Sequence, residues 1–152
     1  MPVIAAGGIA SGKAIASVMM LGAEGVQIGS RFAVAKESSA HPDFKRRVYQ
    51  TEEGGTLLAL KKLAPTRLIR NEFFEQVKKL EEAGADADTL RELLGKGRAK
   101  KGIFEGDLVE GELEIGQICS LLKQEESVAD IMRDLVCDYN EAVRQCSRNL
   151  ME

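Results

Sequence analysis

Two short glycine-bearing segments carry the chemistry this sequence offers. The first is Ala6-Gly7-Gly8-Ile9-Ala10-Ser11-Gly12, which stands between an apolar run and a helix-like stretch. Glycines let a backbone come close to a ligand. A helix N-terminus adds N–H groups and the positive end of a dipole. Together they suit a phosphate, although a tight turn from strand to helix accounts for the same residues. The second segment is Gly25-Val26-Gln27-Ile28-Gly29-Ser30-Arg31-Phe32. Neither is a P-loop, which needs Gly-Lys-Ser/Thr, nor a GxGxxG fingerprint.

The elements around these segments are legible. Pro2-Val3-Ile4-Ala5-Ala6 reads as a short strand buried on both faces, as in a parallel sheet. Ser11 is placed to cap a helix with Ala14, Ile15, Val18 and Met19 on its apolar face, and Gly22 to end it in a left-handed conformation. Residues 25–29 read as a second strand. Strand, helix, strand in this order is a βαβ unit with parallel strands. Gly29 and Ser30 then leave the sheet beside Gly7 and Gly8. Adjacent turns of this kind form the phosphate site of (β/α)8 barrels, and the pair is more specific than either part. Two strands do not make a self-standing sheet. The sheet is therefore expected to be incomplete, with an edge that promotes association into a homo-oligomer.

From Lys36 onward the sequence is charged and helical in pattern. Helices are expected at 43–50, 70–82, 86–94 and 111–122, and from 127 to about 146; residues 56–63 read as a strand or a short helix. In the 111–122 helix Leu113, Ile115, Ile118, Leu121 and Leu122 are expected inside. Ser127 and Asp130 form a variant of the capping box, ahead of Val128, Ile131, Met132, Leu135, Val136 and Tyr139 at helical spacing. The chain is read as two parts, 1–50 carrying the turns and 51–152 mainly helical and packed on the first.

Other polar clusters are read as structural. His41 precedes Pro42 and fixes a loop or helix start. Arg98, Lys100 and Lys101 form a solvated basic turn in preference to an anion site. Glu105, Asp107, Glu110, Glu112 and Glu114, five carboxylates in ten residues, form a solvated acidic face without the EF-hand spacing that calcium would need. Cys119, Cys137 and Cys146 lack any CxxC or Cys/His cluster and read as reduced packing residues. No metal ligand and no catalytic residue is assigned.

The chain has 152 residues, a net charge of −3 and a pI near 5.4, which give no electrostatic reason to expect nucleic acid. No apolar run approaches the roughly 20 residues of a membrane helix. Met1-Pro2-Val3-Ile4 lacks the positive n-region of a signal peptide, so a cytoplasmic location is expected.

Residues 2–10, Leu21-Gly22-Ala23-Glu24-Gly25-Val26-Gln27-Ile28-Gly29-Ser30-Arg31-Phe32, Lys36-Glu37-Ser38 and Ala40-His41-Pro42 resemble the C-terminal part of the nitronate monooxygenase (2-nitropropane dioxygenase) family. That family includes the flavin-dependent enoyl-acyl-carrier-protein reductase II. The resemblance resumes at Gly106-Asp107, Gly111 and Gly116-Gln117-Ile118, and is weakest over 51–94. It implies a TIM barrel with FMN at its C-terminal face, the strands at 3–6 and 26–28 matching the seventh and eighth. It implies that Gly7 and Gly8 approach the FMN phosphate from one turn, and that Gln27, Ile28, Gly29 and Ser30 hold it from the other. Ser30 stands where the family often has Thr, and Ser11 where Asp is common. A TIM barrel takes about 250 residues, so six strand–helix units, the flavin-ring contacts and the catalytic histidine have no counterpart here. The expectation is a fragment of an FMN-dependent oxidoreductase, inactive as the isolated chain. The alternatives are the enoyl reductase, with a nicotinamide cofactor as electron donor, and a non-catalytic helical interaction module.

Overall fold

The computed structural model describes residues 1–148, so the last four residues of the expected C-terminal part lie outside it. Two compact units emerge: residues 1–38 with those from 126 onward, and residues 39–125. The last helix thus belongs to the same compact unit as the N-terminal strands.

In the first unit, strand β1 (Ile4–Ala6) pairs in parallel with β2 (Gly25–Gln27), matching Ile4 to Gly25, Ala5 to Val26 and Ala6 to Gln27. Helix α1 (Gly12–Met20) connects them. Its start is set by Ser11, whose Oγ accepts the Ala14 N–H at 3.2 Å, and its end by Gly22 at φ +99°. A four-residue helix, α2 (Ser30–Ala33), follows β2. The burial expected of β1 is not found: Ile4 is 55% exposed, because no further strand flanks this two-stranded sheet among the described residues.

The long C-terminal helix Val128–Arg148, α7 in chain order, buries Ile131, Leu135 and Ala142, while Met132 and Val136 are exposed. Ser127 caps it, accepting the Asp130 N–H at 3.1 Å and donating to the Asp130 carboxylate at 2.6 Å. Helix α1 meets it at Gly12 and Ala16, both buried, whereas Ile15 is half-buried and Met19 exposed. The crossing needs a glycine: a Cβ on Gly12 would lie 2.1 Å from the Tyr139 nitrogen and 2.4 Å from the Leu135 oxygen.

The second unit holds α3 (Pro42–Tyr49), an antiparallel hairpin of β3 (Thr56–Ala59) and β4 (Thr66–Ile69), α4 (Glu72–Glu82), α5 (Ala87–Leu94) and α6 (Arg98–Ile103). Its core joins Ala59, Leu60 and Leu68 to Phe73, Phe74, Val77 and Leu90. The expected helix at 111–122 does not form. Residues 113–115 run extended along β4, with the Ile69 N–H donated to the Leu113 oxygen at 3.0 Å and the Ile115 N–H to the Arg67 oxygen at 3.2 Å. Only Gln117–Leu121 is helical, as a 3₁₀ turn, and Leu121 is 70% exposed. Leu113 and Ile115 alternate with exposed Glu114, the strand period rather than the helical one. Of the cysteines, Cys119 is buried and Cys137 and Cys146 are exposed, against the expectation that all three pack.

Candidate phosphate-binding turns

Because Ala6 is paired with Gln27, both chains leave the sheet at the same end. Gly7 and Gly8 follow one strand, and Gly29 and Ser30 begin two residues after the other. Gly7 and Gly8 have φ of +87° and +69°, a backbone that favours glycine. Both are exposed, as is Gly29. A Cβ at any of the three would meet no atom within 4 Å. The glycines thus line open space rather than a packed turn. Gln27 is exposed. Val26 and Ile28, on either side of it, line an apolar groove of about 490 Å³ with Ile15, Phe32, Leu135 and Tyr139. Side chains alternate along a strand, so Gln27 belongs to the other face. The half-buried Ile28 side chain packs with Ala35, Ile131 and Leu135.

The expected contribution of the α1 N-terminus is corrected by the structure. The Lys13 N–H is donated to the Asp138 carboxylate at 2.9 Å, and the Ala14 N–H to Ser11. A carboxylate of α7 therefore occupies the position an anion would take at this helix end.

Residue type and spacing assign no role to Arg31, yet the structure gives it one. Its side chain is 9% exposed. Nε and Nη2 donate to the two Glu126 oxygens at 3.0 and 2.8 Å, Nη2 also to Asp134 at 2.7 Å, and Nη1 to the Ala10 carbonyl at 2.8 Å. The Glu126 hydrogen bond, opposed by burial, leads a net rise of the guanidinium above its ordinary value. The signal available in the sequence was a lone Arg in a segment, 2–35, that otherwise carries only Lys13 and Glu24 as charges.

Elsewhere, His41 acts as the cap of α3: Nδ1 accepts the Asp43 N–H at 3.2 Å, and the His41 backbone N–H is donated to the Ile103 oxygen at 2.7 Å. The basic and acidic clusters face each other. Lys100 pairs with Glu105 at 3.1 Å, Lys101 with Asp107 at 3.0 Å, and Arg98 with Glu110 at 3.3 Å. Arg98 is not a solvated residue: it lies over the Phe73 ring, 4.5 Å from its centroid, and donates to the carbonyls of Leu93, Leu94 and Glu110. Glu112 is buried, and desolvation, reinforced by Glu114, raises its carboxyl above the ordinary value.

A parallel βαβ unit with exposed glycines following both strands at one edge defines an α/β protein. The chain belongs to the nitronate monooxygenase family, whose model matches residues 1–138. It is similar to a probable nitronate monooxygenase of Bacillus subtilis, at 32% identity over 139 residues covering 88% of this chain and 39% of that protein. Among solved structures, FabK from Thermotoga maritima matches with a TM-score of 0.90 and 32% identity, over 99% of this chain and 48% of that one. A nitroalkane oxidase from Streptomyces ansochromogenes matches with a TM-score of 0.75 and 29% identity, over 96% and 41%. The chain thus spans less than half the length of each of these relatives.

Proposed function

We propose that this chain supplies the phosphate-binding corner of an FMN site in an oxidoreductase of the nitronate monooxygenase type. The carrying observation is the pairing of Ala6 with Gln27, which brings Gly7, Gly8 and Gly29, all three exposed, to one sheet edge together with Ser30. Backbone N–H groups of these residues and the Ser30 hydroxyl are the donors for the phosphate oxygens. Gln27 flanks them on the exposed face. FMN, when bound, supplies the redox chemistry through its ring. The residues here act at the phosphate end, holding and orienting it. The walls of the ring come from the further strands of a TIM barrel, of which β1 and β2 are the seventh and eighth. On this reading the 152-residue chain binds inorganic phosphate weakly, retains little FMN and does not turn over substrate.

The enoyl-acyl-carrier-protein reductase reading shares the same turns and is favoured by the similarity to FabK. Assays with alkyl nitronates and with enoyl thioesters plus a reduced nicotinamide, on a barrel-length protein carrying these turns, separate the two. Turnover of neither substrate class would reject both.

The direct test of the site is Gly29→Val. Its φ of −97° accepts a side chain, and there is room for one. The variant should fold normally and lose phosphate and FMN binding. Unchanged binding would reject the assignment of this turn.

A further inference from the structure

Arg31 follows Ser30 directly, and Ala10 lies two residues beyond Gly8. The guanidinium joins these two places: the Arg31 backbone is the second residue of α2, and Nη1 donates to the Ala10 carbonyl at 2.8 Å. Glu126 takes the other edge of the fork bidentately, and Asp134 of α7 takes a further N–H. Two carboxylates face one guanidinium. The cation is thus outbalanced locally and does not serve as counter-charge for a phosphate. An ion pair alone would not require the Ala10 carbonyl. That contact fixes the chain leaving the first glycine turn to the chain leaving the second. A planar guanidinium with donors on separate edges holds such a geometry, which a lysine ammonium cannot reproduce.

We propose that Arg31 is a positioning residue, setting the separation of the Gly7-Gly8 and Gly29-Ser30 turns so that both converge on one phosphate. It rests on the phosphate reading above and adds to it a residue that never touches the ligand. It acts through the backbone of Ala10 and Ser30.

The test is R31K in the 152-residue chain, titrated with inorganic phosphate and followed by amide ¹H–¹⁵N shifts, with thermal unfolding measured in parallel. The expected result is a folded variant that binds phosphate at least tenfold more weakly, with the Gly8 and Gly29 amide signals displaced before phosphate is added. A lower unfolding temperature with unchanged phosphate affinity of the folded protein would mean a structural role only, and would overturn the proposal. Wild-type chain that binds no phosphate at these turns would reject the underlying site and this proposal with it. Binding by wild type and R31K alike would reject Arg31 alone. Should R31K fail to fold, D134N decides, since the Asp134 side chain is 58% exposed. Phosphate affinity should then fall about threefold at unchanged unfolding temperature, and an unchanged affinity would contradict the proposal.

Discussion

The Asp138 carboxylate accepts the backbone N–H of Lys13 at 2.9 Å, joining positions 125 residues apart in sequence. It satisfies one of the four N–H groups that a helix start leaves without an intrahelical partner, and it places negative charge at the positive end of the α1 dipole. Asp138→Ala should therefore destabilise the chain by about 0.5–2 kcal/mol, as for loss of an N-cap. Asp138→Asn, which keeps the acceptor oxygen, should cost less. Urea unfolding of the two variants measures the difference; equal stability of the Asp138→Ala variant and wild type would show that the contact contributes nothing.

The same crossing depends on Gly12. Three backbone atoms of α7 stand within 2.7 Å of where its Cβ would be, and backbone cannot turn aside as a side chain can. Gly12→Ala should cost about 1–3 kcal/mol through overpacking, visible as an earlier thermal transition. A variant as stable as wild type would mean that α1 and α7 separate freely.

The glycine turns should respond differently from one another. Gly8→Val introduces a β-branched side chain at φ +69°, so it weakens the fold by about 1–2 kcal/mol as well as obstructing the ligand. Ser30→Ala should leave the fold intact and reduce phosphate affinity by about 0.5–3 kcal/mol, the range from a neutral to a charge-assisted hydrogen bond. Phosphate titration of the three turn variants should rank Ser30→Ala as the mildest. A Ser30→Ala effect as large as that of Gly29→Val would mean that the hydroxyl, and not the backbone, holds the anion.

Asp107 carries the clearest acid dependence. Its Oδ1 accepts the N–H groups of Glu110 at 2.8 Å and Val109 at 2.9 Å, and Lys101 pairs with Oδ2 at 3.0 Å. Led by the Glu110 hydrogen bond and the Lys101 contact, its pKa falls from 3.8 to about 2. A depressed carboxylate pKa contributes stability that is present above the unfolded value and lost as pH falls through the folded one. Wild-type stability should therefore decline between about pH 4 and pH 2. Asp107→Asn should show a shallower decline across that window. Parallel slopes would remove Asp107 as the cause.

What could be read in advance follows from which interactions are local. Ser11, Gly22 and Ser127 act within one turn of the helices they bound, and all three were legible from residue type and spacing. The partner of the α1 N-terminus was not, because Asp138 arrives from the far end of the chain. The hairpin at 56–69 escaped for a different reason. Its connection, Leu60-Lys61-Lys62-Leu63-Ala64-Pro65, lacks Gly or Asn, and Leu60 itself adopts φ +55°, a left-handed conformation that residue type does not announce. Residues 111–122 offered apolar positions compatible with a helix. The bridge between Leu68 and Glu114 draws that segment onto β4 instead. The glycine turns were found as a pair, whereas the clasp at Arg31 was missed, since its Glu126 and Asp134 partners lie 95 and 103 residues away.

The most direct measurement is an amide ¹H–¹⁵N titration of the 152-residue chain with inorganic phosphate and then with FMN. The expected result is a saturable shift centred on Gly7, Gly8, Gly29 and Ser30 with both ligands. The flavin should add little affinity beyond its phosphate. Shifts confined to the Arg98–Lys101 turn, or none at the four glycine-turn residues, would contradict the phosphate site.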